Sequence, residues 1–250
     1  PDDAKGRAAG WYQAGNLGGN GVGGGLGIWV GVNYSKEVAG ATLALAMLAA
    51  ATAIYFTPDF RVVAGFGLRE RMRLTGRDVL AMVRSAIPLL TLVLIASPIS
   101  AGAMNNLWSA VAGDWHAGEK MVALVTGVLN GIVCALGCLL GGWVADRFGR
   151  WWSYFSFGCA LAATAIIMAF VPWTPNLFAV GVLIYSFFVG TGYAAYSALV
   201  VHAIGRGVAS TKYALCKSLG NIPVAYMTAF NGWVHDRFGG VWMLNAEALL

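Results

Sequence analysis

Gly142-Trp143-Val144-Ala145-Asp146-Arg147-Phe148-Gly149-Arg150 closes a long apolar run, and the pattern returns as Gly232-Trp233-Val234-His235-Asp236-Arg237-Phe238-Gly239-Gly240. Seven of the nine positions are identical. In each copy an Asp-Arg pair stops the apolar run and a glycine permits a tight reversal. The copies are three apolar runs apart, so if each run crosses a membrane once they lie on opposite faces. A shorter likeness joins Leu17-Gly18-Gly19-Asn20-Gly21-Val22 to Leu219-Gly220-Asn221-Ile222-Pro223-Val224, six runs apart, with Trp11 opposite Tyr213. Nested three-helix and six-helix repeats are one way of building a polytopic helical bundle.

Composition agrees that such a bundle faces lipid. Of 250 residues, 58% are hydrophobic and only 11% are charged, and mean hydropathy is +0.68. Soluble domains carry about 25% charged residues, too many to match this chain. A spanning helix needs about 20 mostly apolar residues. Seven such runs occur, at 11–32, 38–56, 86–112, 121–145, 152–171, 177–201 and 208–234, and an eighth begins at 241–250. The predicted fold is therefore an all-α membrane protein with seven full transmembrane helices and the start of an eighth. Short turns with Gly, Pro or Asn breakers separate most runs. The one long connection, 57–85, is polar and holds Arg61, Arg69, Arg71, Arg73, Arg77 and Arg84; from Gly76 on it reads as an amphipathic interfacial segment.

The net charge of +5 is a topology signal. If the first run starts on the cytoplasmic side, Lys5, Arg7, the six loop arginines, Arg147, Arg150, Arg206 and Lys212 all face inward. Only Lys36, Lys120 and Arg237 face outward, which follows the positive-inside rule. This distribution argues against nucleic acid as a partner. Cys134, Cys138, Cys159 and Cys216 all lie in apolar runs, form no C-x-x-C pair and have no His or Cys cluster with them, so they read as packing residues, and no metal or other cofactor is expected.

With these residues in hand, the chain resembles the major facilitator superfamily, whose signature between paired helices reads roughly G-x-L-A-D-R-x-G-R-K. Gly142, Ala145, Asp146, Arg147, Gly149 and Arg150 match it, Val144 replaces the Leu and Trp151 replaces the Lys. In that family the turn is taken as a conformational latch, which makes Gly142, Asp146, Arg147, Gly149 and Arg150 the implied gating motif. Asp146 is placed to pair with Arg150 or with a neighbouring helix N-terminus. The resemblance implies a fragment covering helices five to twelve of twelve. Residues 1–56 would then be the end of the N-terminal half, 57–85 a cytoplasmic linker, and 86–250 a six-helix C-terminal half with its last helix truncated. The opening loop and glycine-rich first run are also similar to the muropeptide permease and acetyl-CoA transporter branch, a likeness that names no substrate. Gly10, Gly19, Gly23 and Gly27 partly fit the family's glycine-rich antiporter pattern, but Gly24 stands where its proline belongs, so close helix packing is the better reading.

Polar side chains inside a membrane are costly and usually face a cavity or another helix. Lys217 is the one clear charge in the middle of a predicted span, on a face with Tyr213 and Asn221. It either faces a central cavity or snorkels to the cytoplasmic surface. Gln13, Asn16 and Asn20 form a stripe; Asn105 and Asn106 cluster with Ser109 in a run also holding Pro88 and Pro98; Tyr193 and Tyr196 lie near Ser186 and Ser197. Each cluster either lines a cavity or bonds between helices. Glu247, near the start of the eighth run, reads as interfacial.

The implied function is secondary active transport of a small solute by alternating access, coupled to a proton or another cation, with no catalytic residues. The lone lysine favours an anionic solute. No G-x-x-x-x-G-K-[ST] occurs, which argues against nucleotide-driven pumping. The alternatives are an integral-membrane enzyme, for which Asp114, His116 and Glu119 are the nearest cluster, or a non-transporting sensor on a transporter fold. The expected setting is a monomer in a bacterial inner membrane, with the lipid bilayer and a small molecule as partners.

Overall fold

The computed structural model describes residues 4–56, 97–99, 101–204 and 209–249, together with scattered residues between 69 and 96. Most of the 57–85 connection, and with it the predicted linker and amphipathic segment, lies outside the described residues. Every described element is helical.

Helix α1 (5–33) joins Lys5–Gln13 to Gly19–Asn33 through a single π-helical turn at Ala14–Gly18. Helix α2 (Lys36–Thr52) starts at Ser35, whose backbone is extended and whose hydroxyl accepts from the Val38 amide at 3.3 Å, an N-cap that satisfies one orphan donor. Residues 103–115 form two short 3₁₀ turns flanking α3 (Trp108–Val111). Then follow α4 (Glu119–Phe148), α5 (Arg150–Phe170), α6 (Pro175–Ile204), α7 (Ala209–Phe238) and α8 (Gly240–Leu249). Helix α4 has its own π-helical turn at Leu124–Leu129, and Pro175 opens α6 where its missing N–H costs nothing.

Three helices among the described residues are long and apolar enough to cross a membrane: Glu119–Phe148, Arg150–Phe170 and Pro175–His202. At 1.5 Å per residue even the 21 residues of α5 reach about 31 Å, the thickness of the hydrocarbon core. Phe155, Ile166, Ile167 and Phe170 of α5, and Val180 and Ile184 of α6, point outward and are exposed. A water-soluble protein does not present that much contiguous apolar surface.

The run at 86–112 departs from the single full transmembrane helix expected from it. Residues 97–99, 101 and 102 are not helical, and Gly102 sits at φ +64°. Pro98 has no N–H to return to the Leu94 carbonyl. That carbonyl instead accepts from the Ser97 amide at 3.2 Å and the Ser97 hydroxyl at 2.7 Å. The neighbouring carbonyls are taken by tyrosines on other helices: Tyr226 donates to Ala96 at 3.2 Å and Tyr154 to Ile99 at 2.6 Å. A broken helix at membrane depth survives only when its backbone is satisfied in this way.

The largest core cluster gathers Met104, Trp108, Trp115, Phe178, Tyr185, Met243 and Leu244 at the end of the bundle where α5 meets α6. There Trp115 stacks on Trp173 with ring centroids 4.8 Å apart.

Candidate functional site

Helix α4 lies between α1 and α6, and adjacent glycines set both contacts. A side chain at Gly142 would strike the Gly6 carbonyl and the Gly10 backbone of α1. One at Gly141 would lie 2.6 Å from the Thr191 backbone of α6. Small residues thus bring three backbones together, as expected where helices associate without a hydrophobic driving force between them. Of the four glycines marked for close packing in the first run, a side chain at Gly10 or Gly27 would meet a neighbouring helix, while one at Gly19 or Gly23 would meet nothing within 4 Å.

At the end of this seam stands the Asp146 turn. Gly149 has φ +93° and starts the reversal into α5. Asp146 Oδ1 accepts from the Gly6 amide at 2.6 Å, and Oδ2 from the Arg7 amide at 2.9 Å and the Arg7 Nε at 3.4 Å. A carboxylate therefore caps the first turn of α1, where unpaired amides and the helix dipole both favour negative charge. Of the two partners the sequence allowed, the neighbouring helix N-terminus is engaged. Arg150 Nη1 lies 2.9 Å from His202 Nδ1 at the end of α6, and Arg147 lies over the Trp143 ring at 5.8 Å.

Deeper in the bundle, α6 and α7 form a cleft with the broken segment. Its wall includes Ser97, Ile99, Tyr154, Tyr193, Tyr196 and Pro223. The space is about 30 Å³, room for one or two water molecules. Lys217 of α7 places its ammonium 5.0 Å from the Tyr196 ring centre and 5.5 Å from that of Tyr193. It points at α6 and is half-buried. Cation–π contacts of this kind are worth about 0.5–2 kcal/mol. Gln13 of α1 is fully buried and donates to the Tyr193 carbonyl at 3.4 Å, while Asn16 donates to Gln13 at 3.3 Å.

The structure thus brings together Gln13, Asn16, Tyr193, Tyr196 and Lys217 from three helices. Tyr213 packs in one apolar cluster with Tyr196 and Cys216 and lies edge-on to Tyr12 at 6.0 Å, outside the cleft wall. Asn105 meets Ser186 at 3.4 Å and Asn106 donates to Thr228 at 3.1 Å, so these amides bond between helices. Asn20 and Asn221 are exposed and outside the cleft wall.

Sequence reasoning missed two features. Tyr154 and the Ser97–Ile99 break belong to the cleft, and Pro98 in the middle of an apolar run was the available signal for the break. Glu247, expected at the interface, is instead held between helices: Tyr185 of α6 donates to Oε1, and Asn231 of α7 donates to Oε2 at 2.5 Å.

No curated protein matches the chain significantly. The family model described as Major Facilitator Superfamily matches residues 1–225, which takes in the glycine seam, the Asp146 turn and the Lys217 cleft. The chain belongs to the Major Facilitator Superfamily, and is a multi-pass membrane transporter of that type.

Proposed function

We propose that the protein is a secondary active transporter that moves a small anionic solute across a bacterial inner membrane by alternating access, with a proton or another cation as coupling ion. The observation that carries the solute class is Lys217, whose ammonium rests on the Tyr193 and Tyr196 rings beside the cleft. An ammonium whose contacts among the described residues are ring faces keeps donors for an anionic ligand, which could displace the weaker contacts. Gln13 on α1 and Tyr193 on α6 give the cleft a contact that relative motion of the helices would make or break. Exposed amides at Asn16, Asn20 and Asn221 are unfavourable against lipid and fit a wet pathway better.

In this reading residues 1–56 end one half of the transporter, 57–85 link the halves, and 86–250 supply the other. The Asp146 cap on α1 is then a contact between halves. It would hold one access state closed and release when α1 moves away.

The test uses the full-length gene product in proteoliposomes. A thermal-shift panel of anionic and neutral solutes identifies the ligand, and counterflow measures its transport. Lys217→Ala is expected to weaken solute binding about tenfold to a hundredfold, the value of one charge-assisted hydrogen bond. Lys217→Arg should keep part of it. Unchanged affinity and rate in Lys217→Ala would remove the anionic-solute reading.

A further inference from the structure

Glu247 sits on α8 two turns beyond Gly240, and Asn231 lies two turns before the end of α7 at Phe238. Both are therefore about 10 Å from the turn that joins their helices. Each oxygen of the carboxyl is held by a neutral donor, the Tyr185 hydroxyl or the Asn231 amide. The backbone amides of Ala103 and Met104, in the 3₁₀ turn before α3, also face it. Tyr185 and Asn231 are fully buried.

The charged and titratable groups around this site are few. Helix α5, packed along α8, carries no titratable side chain after Cys159. On α6 the next titratable group is Tyr193, two turns from Tyr185. On α7 it is His235, one turn beyond Asn231, and its Nε2 lies 2.6 Å from Asp114 Oδ2 with Asp236 at 3.6 Å from Nδ1. Lys217 is fourteen residues before Asn231 on α7, about 21 Å along the axis, too far to pair with Glu247.

We propose that Glu247 is a proton-binding site, distinct from the Lys217 cleft, which takes up and releases one proton during the transport cycle. The decisive detail is Asn231. Its Nδ2 donates to Glu247, while its Oδ1 is buried and takes no hydrogen bond among the described residues. An amide serves either state of a carboxyl: Nδ2 donates to the carboxylate, and after a half-turn Oδ1 accepts from the acid. Uptake converts the Glu247 carboxylate and one proton to the carboxylic acid; no electrons move. A metal ion fits poorly, because four or more oxygen ligands are needed and this site is ringed by N–H and O–H donors. The proton enters from the end of the bundle opposite the Asp146 turn, where Asp114, Trp173, His235, Gly240 and Trp242 line an open cleft. His235 stands one turn from Asn231, and Asp114 lies against Gly240 at the start of α8.

The role in a cycle rests on the transporter reading, so the test separates the two. Full-length protein in lipid nanodiscs is followed by infrared difference spectroscopy as pH is stepped across neutrality, without any solute. The expected result is a protonated-carboxyl band that appears on acidification, is lost in Glu247→Gln, and titrates at a shifted midpoint in Tyr185→Phe, which retains the carboxyl. A band unchanged in Glu247→Gln, or no titrating carboxyl in either the wild type or Tyr185→Phe, overturns the proposal. So does a Glu247 signal that responds to sodium at fixed pH, which would make the site a cation site. Failure of solute counterflow alone would strike the transporter reading and leave the infrared result standing.

Discussion

The turn at 142–150 and its copy at 232–240 share seven residues in nine and do different things. Both reverse the chain through a glycine at positive φ, Gly149 at +93° and Gly239 at +88°. Beyond that backbone they part. Gly142 is pressed against α1, whereas a side chain at Gly232 would meet nothing within 4 Å. Asp146 has a side chain only 9% exposed and caps α1, while the side chain of Asp236 is 86% exposed. In the second copy the contact passes to His235, which stands where the first has Ala145 and bonds to Asp114. Sequence identity preserved the reversal; the neighbouring helix decided which side chain became a contact.

The largest difference expected between the copies is at their first glycines. Gly142→Ala should force α1 from α4 and destabilise the protein by about 1–3 kcal/mol, the usual range for overpacking. Gly232→Ala should be neutral or stabilise by about 0.5–1 kcal/mol, because alanine is the better helix former. Thermal unfolding of the two purified variants checks this; equal melting temperatures would erase the distinction.

A smaller gap should separate the aspartates. Asp146→Asn keeps an acceptor but removes the charge facing two amides, a loss of about 0.5–2 kcal/mol. Asp236→Asn should change stability by less than about 0.5 kcal/mol, as an exposed charge usually does. If Asp146 is a latch, Asp146→Asn should also raise the labelling rate of a cysteine placed at Arg7, and Asp236→Asn should leave it alone.

The smallest effect is expected at the histidine. His235→Ala removes a partly exposed contact with Asp114 and should cost about 0.2–1 kcal/mol. The reciprocal Ala145→His should be worse, because Ala145 is 1% exposed and packed near Ala9 and Tyr154. If instead both changes are tolerated alike, the two turns are less specialised than their contacts indicate.

Much of this was legible from residues alone. Hydropathy and sparse charge gave a lipid-facing helical chain, and Gly142, Asp146 and Gly149 marked a tight turn with a carboxylate free to cap a helix. What could not be read was which of two partners Asp146 would take, because both were a few residues from a helix end. Lys217 was open for the same reason. Its long side chain could reach either the surface or the interior, and only the tertiary structure shows its ammonium over the rings of Tyr193 and Tyr196. The run at 86–112 misled in another way: an apolar stretch carries a hydropathy signal whether its backbone is helical or broken. Pro98 weakened the helix, and tyrosines 55 and 130 residues away in sequence made the break tolerable.

The sequence by itself determined the solvent, the helical class and the two chain reversals. These depend on local composition, on periodicity and on the unique backbone freedom of glycine. The tertiary structure decided which polar groups meet. It set Lys217 on two rings, Asp146 on the first amides of α1, and Glu247 between Tyr185 and Asn231. Such pairings depend on how helices far apart in sequence are rotated and spaced, and a one-residue turn of a helix moves a side chain by about 100°. Hydropathy is blind to that angle, and the functional chemistry of this transporter depends on it.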